Sequence, residues 1–258
     1  MAAALLTGAR NFRAVKSYQA ADGRVLRPNI IYRSGELSRL TEMDLDIIEK
    51  LNIKLICDLR SAREQAEYVS RWPAASAHVK LDFPERDESD AGPHKIFEQI
   101  ARHPGELGGL KVMDTLYRRK PRAFAKGVSL LFETILQGDA LPLLIHCHAG
   151  KDRTGFLTAM LLTAIGISKA DVIDDYETTQ IYFPVEQETR AIAAWAKRSF
   201  GHDIDQEAAR PLVDARRDYI EAAFEEIATS WGGAESYLRN AVGLTPSMQT
   251  QLADLLLH

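Results

Sequence analysis

Cysteine is scarce: Cys57 and Cys147 are the only two in 258 residues. Two cysteines cannot build the bridge framework of a small secreted domain, so stability must come from apolar packing, and a lone thiol becomes a candidate nucleophile. Long hydrophobic runs are also missing, with nothing approaching the ~18 apolar residues of a membrane-spanning helix. The opening MAAALLTGARNFR holds an apolar patch too short for a signal h-region and has no positive charge before it. No integral membrane association is expected, and a cytoplasmic location is the default; secretion without a cleaved signal leaves no mark in a sequence. Positive charge is not in excess either, since the net charge is −4 and the pI near 6.0. Global attraction to nucleic acid or to an anionic membrane is therefore excluded, and any affinity for phosphate must be local. Internal repeats and low-complexity tracts are absent.

What is present is enough for one sizeable globular unit. With 46% hydrophobic residues the chain can bury a full core, and residues 1–258 are read as a single domain. Its centre is LLIHCHAGKDRTGFLTAMLLTAIG, from Leu143 to Gly166. An apolar run from Leu141 to Ile145, broken only by Pro142, leads into a small loop. An amphipathic segment with Phe156, Met160, Leu161 and Ile165 follows, giving strand, loop, helix.

That order places the loop at a helix N-terminus, where unpaired N–H groups and the helix dipole favour an anion. Cys147 and Arg153 are separated by five residues, so a turned loop can set the sulfur beneath an oxyanion while the guanidinium grips two of its oxygens. The candidate phosphate-binding residues are His148, Ala149, Gly150, Lys151, Asp152 and Arg153, with the intervening amides forming a nest. Gly150 and Gly155 remove side chains where the backbone turns tightly or packs closely. These surroundings favour the thiolate, the nucleophilic form of Cys147, and Thr154 can donate to the sulfur when it leaves again.

Elsewhere, Ile30–Arg33 and Ile53–Leu59 read as short strands, and Thr41 with Asp44 as the capping box of a helix carrying Leu45, Ile48 and Leu51. Residues 84 to 109, rich in Pro, Gly and charge, read as a surface excursion. Helices are expected at 110–119 and 122–137 with Pro121 between them. A helix capped by Ser168 and Asp171 runs to about Ile181, and others cover Glu186–Phe200, Leu212–Ile227, Ala234–Val242 and Thr245–Leu257, with GHDIDQE a polar linker. The fold class is α/β: a mostly parallel central sheet flanked by helices, the cradle at the C-terminal ends of its strands.

The HCHAGKDRTG loop resembles that of the Cys-dependent protein tyrosine phosphatases, and in particular a bacterial group whose loop reads HC-x-AGKDRTG. The likeness extends to NFRAV, IYRSGELSRLTEMDL and IKLICDLRSAREQ. It departs after Arg13, where the family usually has an acidic residue and two glycines and this chain has Ala14, Val15, Lys16 and Ser17. The resemblance implies a phosphatase working through a cysteinyl-phosphate on phosphotyrosine proteins, in some cases with phosphoserine, phosphothreonine or phosphoinositide activity. It implies no metal and no cofactor, a general acid inside the cradle at Asp152, and helices at 185–215 that form a lid.

Alternatives stand beside these expectations. The acid is Asp152 first, then Asp58 at a strand end, then Asp82, Asp87 or Asp90; Asp58 could instead hold Arg60 or the loop backbone. Lys151 is either a second cation for a polyphosphorylated head group or a solvated lysine at a loop tip. His146 and His148 lack metal-ligand spacing, and His146 is expected to shape the cradle. Cys57 is core, or a redox partner of Cys147 if their strands are neighbours. The rival functions are a dedicated phosphoinositide or inositol phosphatase, a catalytically silent phosphate-binding module, and a thiol-dependent sulfur or arsenate enzyme.

Overall fold

The computed structural model describes residues 6–73, 78–82 and 93–258. Its strands are β1 (Arg13–Ala14), β2 (Ile31–Ser34), β3 (Leu55–Asp58), β4 (Val79–Asp82) and β5 (Leu143–His146), in the spatial order β1-β2-β5-β3-β4. All neighbours pair in parallel except β1, which runs antiparallel to β2. The fold is therefore α/β with a mostly parallel sheet. The register sets Ser34 and Asp58 on either side of His146, so three strands end level with one another just where the Cys147 loop begins.

Successive side chains of these strands point to opposite faces, and two cores follow. Ile31, Leu55, Cys57, Leu143 and Ile145 face a large helical layer. That layer contains α4 (Glu106–Leu136), α5 (Asp152–Ala164), α6 (Lys169–Glu177), α10 (Arg217–Trp231) and α12 (Pro246–Leu256). Tyr32, Ile56 and Leu144 face the other way, against α1 (Glu42–Leu51) and the N-terminal segment with Leu6 and Phe12. The expected Thr41–Asp44 capping box opens α1, and Asp44 also accepts from the amides of Thr7 and Gly8, both at 2.9 Å. The remaining elements are α2 (Ala62–Glu67), α3 (Pro93–Ala101), α7 (Thr179–Tyr182), α8 (Val185–Phe200), α9 (Gln206–Val213) and α11 (Ala234–Tyr237). A π-helical turn at Leu238–Val242 follows α11.

Several elements differ from expectation. Pro121 does not divide two helices: it lies inside α4, a single helix of 31 residues. An interior proline costs about 3 kcal/mol. Here the face carrying Met113, Tyr117, Phe124, Val128, Leu131, Phe132 and Ile135 is buried within the helical layer, against α5, α10 and their neighbours, which outweighs that cost. Part of the supposed surface excursion is helical, because Phe97 and Ile100 of α3 bury against Val112, Ala196 and Ala208 in a third core. The polar linker ends early, since Asp205 caps α9 by accepting from the amide of Ala208 at 2.7 Å. The helix expected from Leu212 is instead split, α9 ending at Val213 and α10 starting at Arg217.

The cradle helix α5 is pressed against its neighbours at Gly155, where an added Cβ would lie 2.7 Å from Cδ2 of the buried Tyr176 ring and 3.3 Å from Nη2 of Arg33. Neither neighbour is the free end of a side chain. Gly155→Ala is expected to destabilise the fold by about 1–3 kcal/mol through overpacking, measured as a lower urea midpoint at unchanged slope.

Candidate active site

The loop leaving β5 must reverse within a few residues to start α5 at Asp152, and Gly150 makes the turn at φ +70°. A Cβ there would sit 2.5 Å from Ser34 O and Gly35 N, so glycine is required both for the dihedral and for the close approach. The turn aims the Gly150 amide at Cys147, with N 3.2 Å from Sγ. Cys147 itself is 2% exposed.

The carbonyl of the same residue, which belongs to the next peptide unit, is held from outside the loop. The Gly150 carbonyl accepts from Asn11 Nδ2 at 2.6 Å and from Arg33 Nη2 at 3.1 Å. Arg33 is fully buried and pairs through Nη1 with Asp175 Oδ2 at 2.6 Å. Arg13 donates to the Asn11 side chain and to the Asp175 carbonyl. Burial, and then the neighbouring Arg33, pull the Arg13 guanidinium down to about 9. Two further backbone bonds of 2.9 Å, Glu36 N to His148 O and Leu59 N to His146 O, tie the loop to the ends of β2 and β3.

Arg153 lies in the first turn of α5. Its fork is held by Glu64 of α2 in a bidentate pair, Nη1 to Oε2 at 2.6 Å and Nη2 to Oε1 at 2.7 Å, and Nη1 also reaches Leu59 O at 3.2 Å. Burial opposes ionisation of Glu64, yet Arg153 and the Ser61 cap hold its carboxyl near 2. Thr154 is buried, and its Oγ1 has no hydrogen-bond partner among the described residues, Cys147 Sγ included.

Lys151 and Asp152 take different paths. Lys151 is 1% exposed and donates from Nζ to Leu212 O at 2.6 Å and Asp214 O at 3.0 Å, across the break between α9 and α10. It is neither solvated nor at a loop tip. Asp152 has a side chain 30% exposed, with Lys151 Nζ 3.4 Å from Oδ1 and the Tyr117 hydroxyl donating to the same oxygen at 2.7 Å. Burial pushes this carboxyl up, but Lys151, Lys120 and the Tyr117 bond outweigh it and hold it below the usual carboxylate range.

The other candidate acids are placed differently. Asp58 is buried and gripped by Arg60, which donates from Nε at 2.9 Å and Nη2 at 2.8 Å, the structural arrangement weighed against its acid role. Its Oδ2 lies 3.6 Å from His146 Nε2. Asp82 ends β4 opposite Asp58, while Asp87 and Asp90 lie outside the described residues. His148 packs edge-on to Tyr68 with ring centroids 4.9 Å apart, and Ala149 lies beside Gly35. Cys57 sits on β3 opposite Ile145, so the strands of the two cysteines are neighbours. Among the described residues no group of His, Cys, Asp or Glu is placed to hold a metal ion, and no helix is long and apolar enough to cross a membrane.

Five contributors were not singled out from the sequence: Asn11, Arg33, Glu64, Tyr117 and Asp175. A signal existed for two of them. Ser61-x-x-Glu64 is a capping-box pattern directly after the DLR strand end, and Arg33 is an arginine on an otherwise buried strand.

A thiol facing a backbone amide at a helix N-terminus, with an adjacent clamped arginine, is an arrangement suited to a phosphate group. The chain belongs to the tyrosine phosphatase family, whose model matches residues 4–258, and phosphatase activity is the class that membership brings. The Mycobacterium tuberculosis triple specificity protein phosphatase PtpB is 29% identical over 282 residues, covering all of both chains. A Cupriavidus necator protein provisionally named a tyrosine-protein phosphatase is 28% identical across 90% of this chain and 81% of its own. Among solved structures, P. aeruginosa TpbA covers 76% of this chain and 96% of its own at 16% identity and a TM-score of 0.36.

Burial, opposed by Asp58, lowers the His146 imidazole from 6.5 to about 4. The unfolded chain therefore binds a proton that the folded chain refuses, and stability falls as pH drops from 6.5 towards 4. The expected loss is about 2–3 kcal/mol between pH 7 and 4.5, and His146→Asn should remove that part of the slope in urea titrations at the two pH values.

Proposed function

We propose that this chain hydrolyses phosphate monoesters through a cysteinyl-phosphate, with phosphotyrosine in proteins as the leading substrate and phosphoserine, phosphothreonine and phosphoinositides as further ones. The observation that carries the reading is the Gly150 amide aimed at Cys147 Sγ at 3.2 Å directly before a helix N-terminus. Donors fixed in advance where charge develops are what phosphoryl transfer needs. The full-length likeness to a phosphatase named for triple specificity supports the breadth.

In the first step Cys147 Sγ attacks phosphorus and the ester P–O bond breaks. Arg153 and the amides of residues 148–153 hold the equatorial oxygens, and Asp152 gives its proton to the leaving oxygen. In the second step water attacks phosphorus, its proton passes to Asp152, and the P–S bond breaks with the electron pair returning to sulfur. Phosphate is released and the thiolate restored. Thr154, buried beside the loop with a free hydroxyl, donates to the departing sulfur. Asp58 is left out as acid because Arg60 occupies both its oxygens.

The chain acts as one domain in the cytoplasm, and residues 185–215 form the lid. Lys151 joins that segment to the cradle by its bonds to Leu212 O and Asp214 O. With Nζ so engaged, its contribution to polyphosphorylated substrates runs through this joint, and Lys151→Ala should change the ratio of phosphoinositide to phosphotyrosine turnover.

The test is phosphate release by wild type and Cys147→Ser from a phosphotyrosine peptide and a phosphatidylinositol phosphate, with EDTA present. Release from the peptide that vanishes in the variant is expected. Wild type that binds the peptide and releases nothing would leave a phosphate-binding module instead. Glu64→Gln, which loosens Arg153, is expected to weaken inhibition by inorganic phosphate about tenfold, in line with the ~1.5–3 kcal/mol of a charged hydrogen bond.

A further inference from the structure

Tyr117 projects from the middle of α4 and is fully buried. Its hydroxyl meets two groups: Asp152 Oδ1 at 2.7 Å and the hydroxyl of Tyr176, from α6, at 2.6 Å. A phenol has one proton to give. Because an ionised carboxylate can only accept, that proton goes to Asp152, and Tyr176 must then donate to the Tyr117 oxygen. The direction of the chain is fixed as Tyr176 to Tyr117 to Asp152.

Both cationic and phenolic contacts fall on the same carboxylate oxygen, since Lys151 Nζ also approaches Oδ1. Among the described residues no group bonds Oδ2. The carboxylate is held by one oxygen and offers the other.

We infer that Tyr117, oriented by Tyr176, is a positioning residue for the acid–base step: it occupies Oδ1 as a donor and leaves Oδ2 as the atom that carries the proton. In the first step the Oδ2–H bond breaks and a bond from that proton to the leaving oxygen forms as the P–O bond breaks. In the second, Oδ2 takes the proton of the attacking water as the P–S bond breaks. Tyr117 exchanges no proton in either step. The inference rests on the phosphatase reading and on Asp152 as its acid.

A tyrosine that merely fills the core would affect every substrate alike, and this difference makes the role testable. The experiment compares wild type, Tyr117→Phe, Asp152→Asn and the double variant on phenyl phosphate, whose leaving group needs a proton, and on dinitrophenyl phosphate, whose leaving group does not. General acid catalysis is worth roughly 10²–10⁴-fold, and Tyr117→Phe should lose part of it. The expected loss in kcat is about tenfold greater on phenyl than on dinitrophenyl phosphate, with KM unchanged and no further loss when Asp152→Asn is already present.

The pH profile gives a second readout. The groups facing Asp152 are Lys151 beside it, Lys120 and Tyr117 from α4, and Tyr176 from α6, with Tyr219 of α10 behind. Removing the Tyr117 donor takes away a bond that favours the ionised form, so the limb of kcat/KM where Asp152 loses its proton should move to higher pH. Tyr176→Phe leaves the Tyr117–Asp152 bond in place but removes the donor to the Tyr117 oxygen, which a protonated Asp152 can then use as an acceptor; it should show the same pattern more weakly, and it carries the test if Tyr117→Phe does not fold. Equal losses on the two esters, no loss, or a loss that persists in the Asp152→Asn background would overturn the role. A wild type inactive on both esters would sink the phosphatase reading and this role with it, whereas an active wild type with uniform Tyr117 losses would sink this role alone.

Discussion

The Gly150 carbonyl is turned away from the anion cradle, and most of the site depends on it. Its peptide unit carries the Lys151 N–H at the other end, so holding the oxygen fixes the plane that joins Gly150 to the first turn of α5. Asn11 and Arg33 take the oxygen, and the Gly150 amide faces Cys147 Sγ before any phosphate arrives. Preorganisation of this kind spares the site the reorganisation that a flexible loop would undergo on binding. The clamp buries two arginines, Arg13 and Arg33, against one carboxylate, Asp175. Burying an unequal set of charges is expensive, but here the surplus is positive and lies beneath a site built for an anion, where it adds to the dipole of α5.

The carboxylates around the loop divide by their partners. Glu64 and Asp58 each face an arginine through both oxygens, which suits them to hold a cation in place and ill suits them to release a proton. Asp152 instead meets a phenol and an ammonium on one oxygen. In the resting site those partners keep it ionised. A dianionic ester beside it would oppose that charge and favour the protonated acid, so the group can be acid with substrate bound and base once the leaving group has gone.

Much of this was legible in the sequence because it rests on local rules. The apolar run before Cys147, the glycines after it and the amphipathic segment that follows identify strand, loop and helix through period and turn chemistry. The acid alternatives involving Asp58 could be framed from its place at a strand end. The partners of Gly150 could not: Asn11 and Arg33 are 139 and 117 residues away in sequence, brought in by the parallel pairing of β2 with β5 and the antiparallel pairing of β1 with β2. Tyr117 was hidden by the same effect, compounded by Pro121. A rule about proline predicted a break four residues further on, whereas tertiary packing kept α4 continuous. Lys151 reads as a second cation for the substrate or a solvated loop-tip lysine, for lack of any local sign that the end of α9 would cover it.

The central claim is that Cys147 carries the phosphoryl group. It is tested most directly by mixing the protein with a phosphotyrosine peptide, quenching in acid within milliseconds, and locating any added phosphoryl mass by peptide mapping. The account predicts a phosphoryl group on the peptide containing Cys147 that is absent in Cys147→Ser and more abundant in Asp152→Asn, in which water is activated less well. Phosphate release at full rate with no modified Cys147 at any quench time would contradict it.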